Sequence, residues 1–110
     1  MTSSWYCFQT QTCVRLKRRP ALVVQADGLG TQLPQTIVAM ISSNMSRAGH
    51  PSRVAVTAGS RYAKQSGLLT DSVVMADNLA TIRYSEIDQV IGTIPDLTDL
   101  EVALRATLGL

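Results

Sequence analysis

Three segments of the chain join a short apolar run to a small polar or cationic group. Arg18-Arg19 leads straight into Pro20-Ala21-Leu22-Val23-Val24, and Thr36-Ile37-Val38-Ala39-Met40-Ile41 runs out into Ser42-Ser43-Asn44. The third, Ser66-Gly67-Leu68-Leu69-Thr70-Asp71-Ser72, leads into Val73-Val74. An apolar strand is a firm support, and a group at its end is held ready to bind or react. A guanidinium there is always charged, and its fork can take two phosphate oxygens. A hydroxyl nearby can donate to the same phosphate. Those two groups suit chemistry on RNA, which brings its own nucleophile, the 2′-hydroxyl. The protein then has only to orient the phosphate, stabilise added negative charge and move protons.

Each feature also has a plainer reading. Taken alone, Arg19 reads more readily as a solvated cation beside a strand than as a catalytic group, and Ser42 can be read as a strand-ending serine. The segment from Ser66 to Val74 reads best as architecture: Gly67 for a turn, Asp71 and Ser72 for local hydrogen bonds, Leu68, Leu69, Val73 and Val74 for core. Trp5 and Tyr6 could stack on bases, although a Trp beside an apolar strand usually serves the core.

Other chemistries find little support. One histidine, His50, and two cysteines, Cys7 and Cys13, do not supply zinc-site spacing, so no metal or cofactor is expected. His50 sits in Gly-His-Pro with no nucleophile-elbow glycines around a serine, which disfavours a Ser-His-Asp triad. No glycine-rich phosphate loop opens a helix.

The totals suit one compact domain over residues 1–110, with 45% apolar and 16% charged residues. No apolar run is long enough to span a bilayer, and Met1-Thr2-Ser3-Ser4 lacks the charge and apolar stretch of a signal peptide. A cytoplasmic protein with reduced cysteines is expected. The net charge of +2 is unevenly spread. Up to residue 55 the cations Arg15, Lys17, Arg18, Arg19, Arg47 and Arg53 face Asp27 as the only acid. Beyond it, Arg61, Lys64, Arg83 and Arg105 are outweighed by Asp71, Asp77, Glu86, Asp88, Asp96, Asp99 and Glu101. A cationic first half suits a polyanion-binding face.

The elements that must position these groups are mostly strands. Pro20–Ala26, Thr36–Ile41, Arg53–Thr57, Ser72–Ala76, Ala80–Arg83 and Ile91–Ile94 read as strands, and Trp5–Phe8 as a possible first one. Asp27 to Gln35 and Ser42 to Ser52 are connections, and Ala58 to Gly67 is a long polar loop. Ser85 to Val90 reads as a helical turn capped by Ser85. Leu97, Leu100, Leu104 and Leu108 line one face of a terminal helix, with Thr98 and Glu101 as a capping box and Gly109 as its stop. Many short strands and one helix point to a small, curved sheet or barrel closed by that helix.

In order and spacing, Arg19-Pro20-Ala21-Leu22-Val23, Val38-Ala39-Met40-Ile41-Ser42-Ser43 and the Ser66–Val74 segment resemble the PemK/MazF family of toxin endoribonucleases. The resemblance runs from about residue 18 to 95. It implies a mostly β, α+β fold: a small SH3-like β-barrel of the PemK/MazF/CcdB type with a C-terminal α-helix. By that resemblance Arg19 is the catalytic arginine and Ser42 stands where most members have a catalytic threonine. Lys17, Arg18, Ser43 and Asn44 would then contact RNA, although strand alternation turns Ser43 away from Ser42. The implied activity is metal-independent cleavage of single-stranded mRNA, leaving 2′,3′-cyclic phosphate and 5′-hydroxyl ends. The implied partners are an acidic antitoxin, operator DNA bound together with it, and a second copy of the chain in a homodimer; no membrane is involved. Members of the family open on an Arg/Lys-Gly-Asp-Ile/Val-Trp strand, whereas Met1–Leu16 holds no acid. Two other readings share the fold: a binding module with little turnover, and a CcdB-like gyrase inhibitor.

Overall fold

The structure, a computed structural model, describes residues 11–16, 18–26, 29–57, 63–94 and 98–110. The strand expected at Trp5–Phe8, the stacking role of Trp5 and Tyr6, and Lys17 lie outside these residues. Six strands form one antiparallel sheet: β1 (Gln11–Leu16), β2 (Pro20–Val23), β3 (Gln35–Ser42), β4 (Arg53–Val56), β5 (Ser72–Arg83) and β6 (Ile87–Ile94), in the order β4-β5-β3-β2-β1-β6. A single turn, α1 (Ala63–Ser66), and a terminal helix, α2 (Thr98–Leu108), complete the fold. The expected mostly β architecture with a C-terminal helix is what forms. Among the described residues no ladder joins β4 to β6, so the barrel is left open along those edges.

Neighbouring residues on the strands bury on opposite faces. Cys13, Leu22, Ala39, Ile41, Val56, Val74 and Ile94 build one cluster, which Leu100 of α2 covers. Val14, Ala21, Val38 and Ile82 build the other. This two-sided burial explains why β2 and β3 read as nearly continuous apolar runs rather than alternating ones. Cys13 is fully buried, and loss of hydration pushes its thiol up to about 12.

Three local expectations are revised. Ser72–Ala76 and Ala80–Arg83 are one strand, not two. The pairing of β3 with β5 jumps from Ala39↔Leu79 to Met40↔Met75, so Ala76, Asp77 and Asn78 bulge out without ending the strand. The Ser85–Val90 turn is shorter and starts earlier. A 3₁₀ turn covers Tyr84–Glu86, Glu86 Oε1 accepts the Arg83 backbone N–H at 3.0 Å, and β6 begins at Ile87. In α2 the buried residues are Leu100 and Ala103, with Leu104 packed behind them, whereas Leu108 is 57% exposed. Its face is therefore rotated from the leucine stripe. Gly109 ends the helix as expected: its φ is +73°, and the N–H groups of Gly109 and Leu110 both donate to the Arg105 carbonyl.

Candidate functional site

The N–H of Leu16 donates to the Arg19 carbonyl at 2.8 Å, closing the hairpin between β1 and β2. Arg15, Arg18 and Arg19 are thereby gathered at one end of the sheet. Pairing between β2 and β3 includes Val23↔Val38, Leu22↔Ala39 and Ala21↔Met40. Arg19 stands just before the first residue of β2 and Ser42 is the last residue of β3, so antiparallel pairing leaves both at the same end of the sheet. The sequence folds this way because Ala21, Leu22, Val38 and Ala39 are buried on both faces, and a one-residue slip would exchange those faces.

The strand ends open into a cleft of about 550 Å³. Arg15, Arg18, Arg19, Ser42, Ser43 and Arg47 supply polar groups on one part of its wall. Pro20, Ile41, Gly67 to Thr70, Ser72, Met75, Asn78 and Ile91 form the rest. Among its lining residues there is no carboxylate, so four guanidiniums give the cleft a positive potential. Arg19 also lines a smaller hollow with Leu16, Arg18, Met40 and Glu86, which puts it on the rim between the two.

Ser42 is half-buried, and its Oγ accepts the backbone N–H of Asn44 at 3.1 Å. That bond fixes the hydroxyl oxygen while leaving its proton available to donate. Ser43 lies in the same cleft, contrary to the expected alternation. Strand β3 ends at Ser42, and the two-residue periodicity ends with it. Asn44 is committed to a different task. Its Oδ1 accepts from the Ser46 N–H at 3.1 Å and the Ser46 hydroxyl at 2.6 Å, capping the 3₁₀ turn Met45–Arg47. Asn44 therefore shapes the cleft wall and is not among its lining residues.

The Ser66–Val74 segment combines architecture with a wall. Gly67 has φ +73°, and a Cβ there would overlap the Ile91 carbonyl; a Cβ on Gly92 would overlap the backbone of Gln65 and Ser66. The pairing of β1 with β6 skips Ile91, making it a bulge that presses against Gly67. The Ser66 hydroxyl accepts the Leu68 N–H, and the Ser72 hydroxyl donates to the Thr70 carbonyl at 2.9 Å. Between these fastenings Leu69 stands 91% exposed at the cleft, not in the core where the sequence reading put it.

Arg15, Arg47 and Asn78 line the cleft without having been singled out as site residues. Arg15 belonged to a visible basic cluster, but Arg47 sat in a polar connection and Asn78 in a bulge. No periodic signal points to either. His50 does not build a triad. Its Nδ1 lies 2.7 Å from Ser52 Oγ, but Ser52 is buried and Asp77 pairs with Arg53. The described residues hold no group of three or more potential metal ligands, and no described helix is long and apolar enough to cross a membrane.

Comparison with known proteins agrees with this fold. The toxin MazF-mt6 of Mycobacterium tuberculosis superposes with a TM-score of 0.73 at 25% identity, over 93% of this chain and 98% of that one. A mycobacterial endoribonuclease in complex with its cognate antitoxin gives 0.69 at 21% identity, over 92% of each chain. MazF of the MazE–MazF complex of Deinococcus radiodurans gives 0.67 at 24%, over 89% of this chain and 92% of that one. No curated protein sequence matches. The family model for the PemK-like, MazF-like toxin of type II toxin–antitoxin systems matches residues 6–108. The chain belongs to that family.

Proposed function

We propose that this toxin is an endoribonuclease that cleaves single-stranded mRNA in the arginine-lined cleft, with Arg19 and Ser42 acting on the scissile phosphate. The observation that carries the reading is that Arg19 and Ser42 line one concave surface whose lining residues include no carboxylate. The 2′-hydroxyl attacks phosphorus, the bond to the 5′-oxygen breaks, and a 2′,3′-cyclic phosphate and a 5′-hydroxyl result. The proton lost from the 2′-oxygen is balanced by one gained at the 5′-oxygen. Arg19 stabilises the charge that builds on the phosphoryl oxygens, and Ser42 donates its hydroxyl proton to the same group. Arg18, Lys17 and Ser43 hold the flanking strand, and Asn44 acts through the turn it caps. Threonine at position 42 would add a methyl that restricts the rotamer, so serine gives a looser donor.

The antitoxin is an acidic segment laid across the cationic cleft; that an antitoxin is a partner is supported by the two structural relatives found in complex with one. The toxin works as a twofold dimer in the cytoplasm and joins its antitoxin on operator DNA. Purified protein incubated with single-stranded RNA in EDTA should cut it, and the ends should be cyclic phosphate and 5′-hydroxyl. Intact RNA that shifts on a native gel would instead mean a binding module, and inhibited gyrase supercoiling with intact RNA would mean a gyrase poison.

A further inference from the structure

Beyond Ser42 the chain carries another guanidinium on a braced support. Arg47 ends the 3₁₀ turn Met45–Arg47 and lines the same cleft as Arg19 and Ser42. The turn is held at both ends. Asn44 caps its start through Ser46, and Arg53 Nη1 donates to the Arg47 carbonyl at 3.1 Å. Arg53 is itself held by Asp77, with Nη2 2.8 Å from Oδ2 and Nε 3.4 Å from Oδ1. Asp77 is thus committed to Arg53, and Arg47 has no carboxylate partner among the described residues. Its Nη1 rests 3.8 Å from the Met75 sulfur. A thioether is a weak acceptor, and a phosphate oxygen would replace it with a much stronger charge-assisted bond.

The strand order shows where such a phosphate would sit. β3, which ends at Ser42, lies between β2, headed by Arg19, and β5, which carries Met75. Arg19 and Arg47 therefore flank Ser42 from opposite sides. We infer that Arg47 is a phosphate-binding residue that grips the RNA phosphate next to the one held by Arg19 and Ser42. The inference rests on the reading of the cleft as an RNA site. Arg47 sets the register of the strand across Ser42, so it acts on binding and not on the bond that breaks.

The test uses full-length toxin and a mixed-sequence single-stranded RNA blocked by 2′-O-methyl groups, with binding followed by anisotropy across a potassium chloride series. Each phosphate contact to a single strand contributes about 0.7 to the slope of log affinity against log salt. Arg47→Ala should lower that slope by about this amount, and Arg47→Lys should restore it. Arg105→Ala on α2 should leave it unchanged. With a long cleavable transcript, Arg47→Ala should raise KM several-fold at nearly constant kcat. A slope and KM equal to those of the parent would overturn the role of Arg47 while leaving the cleavage reading intact. So would a slope that Arg47→Lys fails to restore, which marks a structural defect. Failure of the parent toxin to bind the blocked RNA or cut the transcript would overturn both.

Discussion

The sheet has a hollow at each end of β2 and β3, and the two are built from different residues. At one end the cleft of about 550 Å³ is lined by Arg15, Arg18, Arg19, Arg47 and Ser42. At the other a hollow of about 320 Å³ is lined by Thr12, Gln25, Leu29, Gln32, Leu33, Tyr84 and other neutral residues. The same strands support both. Neither concavity nor hydroxyls therefore mark the candidate site; what distinguishes the ends is the cationic charge held where the strands stop. Neutral donors can hydrogen-bond a developing charge, but only the cationic end adds the charge-assisted bonds that a doubly charged phosphoryl transition state draws on most.

Substitutions can break that contrast. Arg19→Ala should reduce RNA cleavage by roughly 10²–10³-fold, the usual loss for one transition-state charge donor. Tyr84→Ala in the neutral hollow should leave the rate within about twofold, since exposed side chains away from a site have little effect. Equal losses at both ends, measured as single-turnover rates, would erase the distinction. Gly67→Ala should act on the wall: it combines a left-handed backbone with overlap onto the Ile91 carbonyl. A loss of about 1–3 kcal/mol is expected in denaturant unfolding, with cleavage falling alongside. Unchanged stability would mean that the wall is not fastened at Gly67–Ile91.

Ser42→Ala should lower the rate by roughly 10–100-fold, below the loss at Arg19, because a neutral donor is weaker than a charged one. Ser42→Thr should keep or raise activity. The smallest effect belongs to Asp77→Asn. The hydrogen bond from Arg53 holds the Asp77 carboxyl below its ordinary value, against a smaller opposing effect of desolvation and with lesser help from a backbone N–H and the Arg53 charge. A lowered folded-state value means the pair stabilises the fold fully above the unfolded aspartate value and loses that support as pH falls through the folded one. The Tm difference between the parent and Asp77→Asn should therefore be small near pH 7, because the pair is solvent-exposed, and vanish in acid. A difference that grows toward acid pH would contradict the assignment.

Much of this was legible in the residues. The apolar runs at Pro20 and Thr36 became β2 and β3, and their flanking Arg19 and Ser42 line one cleft because antiparallel pairing brings the start of one strand to the end of the next. Gly109 read correctly as the helix stop, and Gly67, read as a turn residue, has a left-handed backbone; that a side chain would not fit there is visible only in the structure. What sequence left hidden depends on register and bulges. Asp77-Asn78 looks like a turn, yet β5 absorbs it as a bulge and carries on, which delivers Asn78 to the cleft and Asp77 to Arg53. Arg47 has no pattern around it, and only the folded turn brings it beside Met75. β1 at Gln11–Leu16 was missed because Gln11, Thr12 and Arg15 break up its apolar residues. It is held by pairing on both sides, with β2 and β6, a tertiary constraint that local composition does not carry.

The most direct measurement is a double-mutant cycle on single-turnover cleavage with Arg19→Ala, Ser42→Ala and both together. If the guanidinium and the hydroxyl serve the same phosphodiester, their losses will not multiply, and the double variant will be little slower than Arg19→Ala alone. Losses that multiply fully would show two independent groups and contradict convergence on one phosphate.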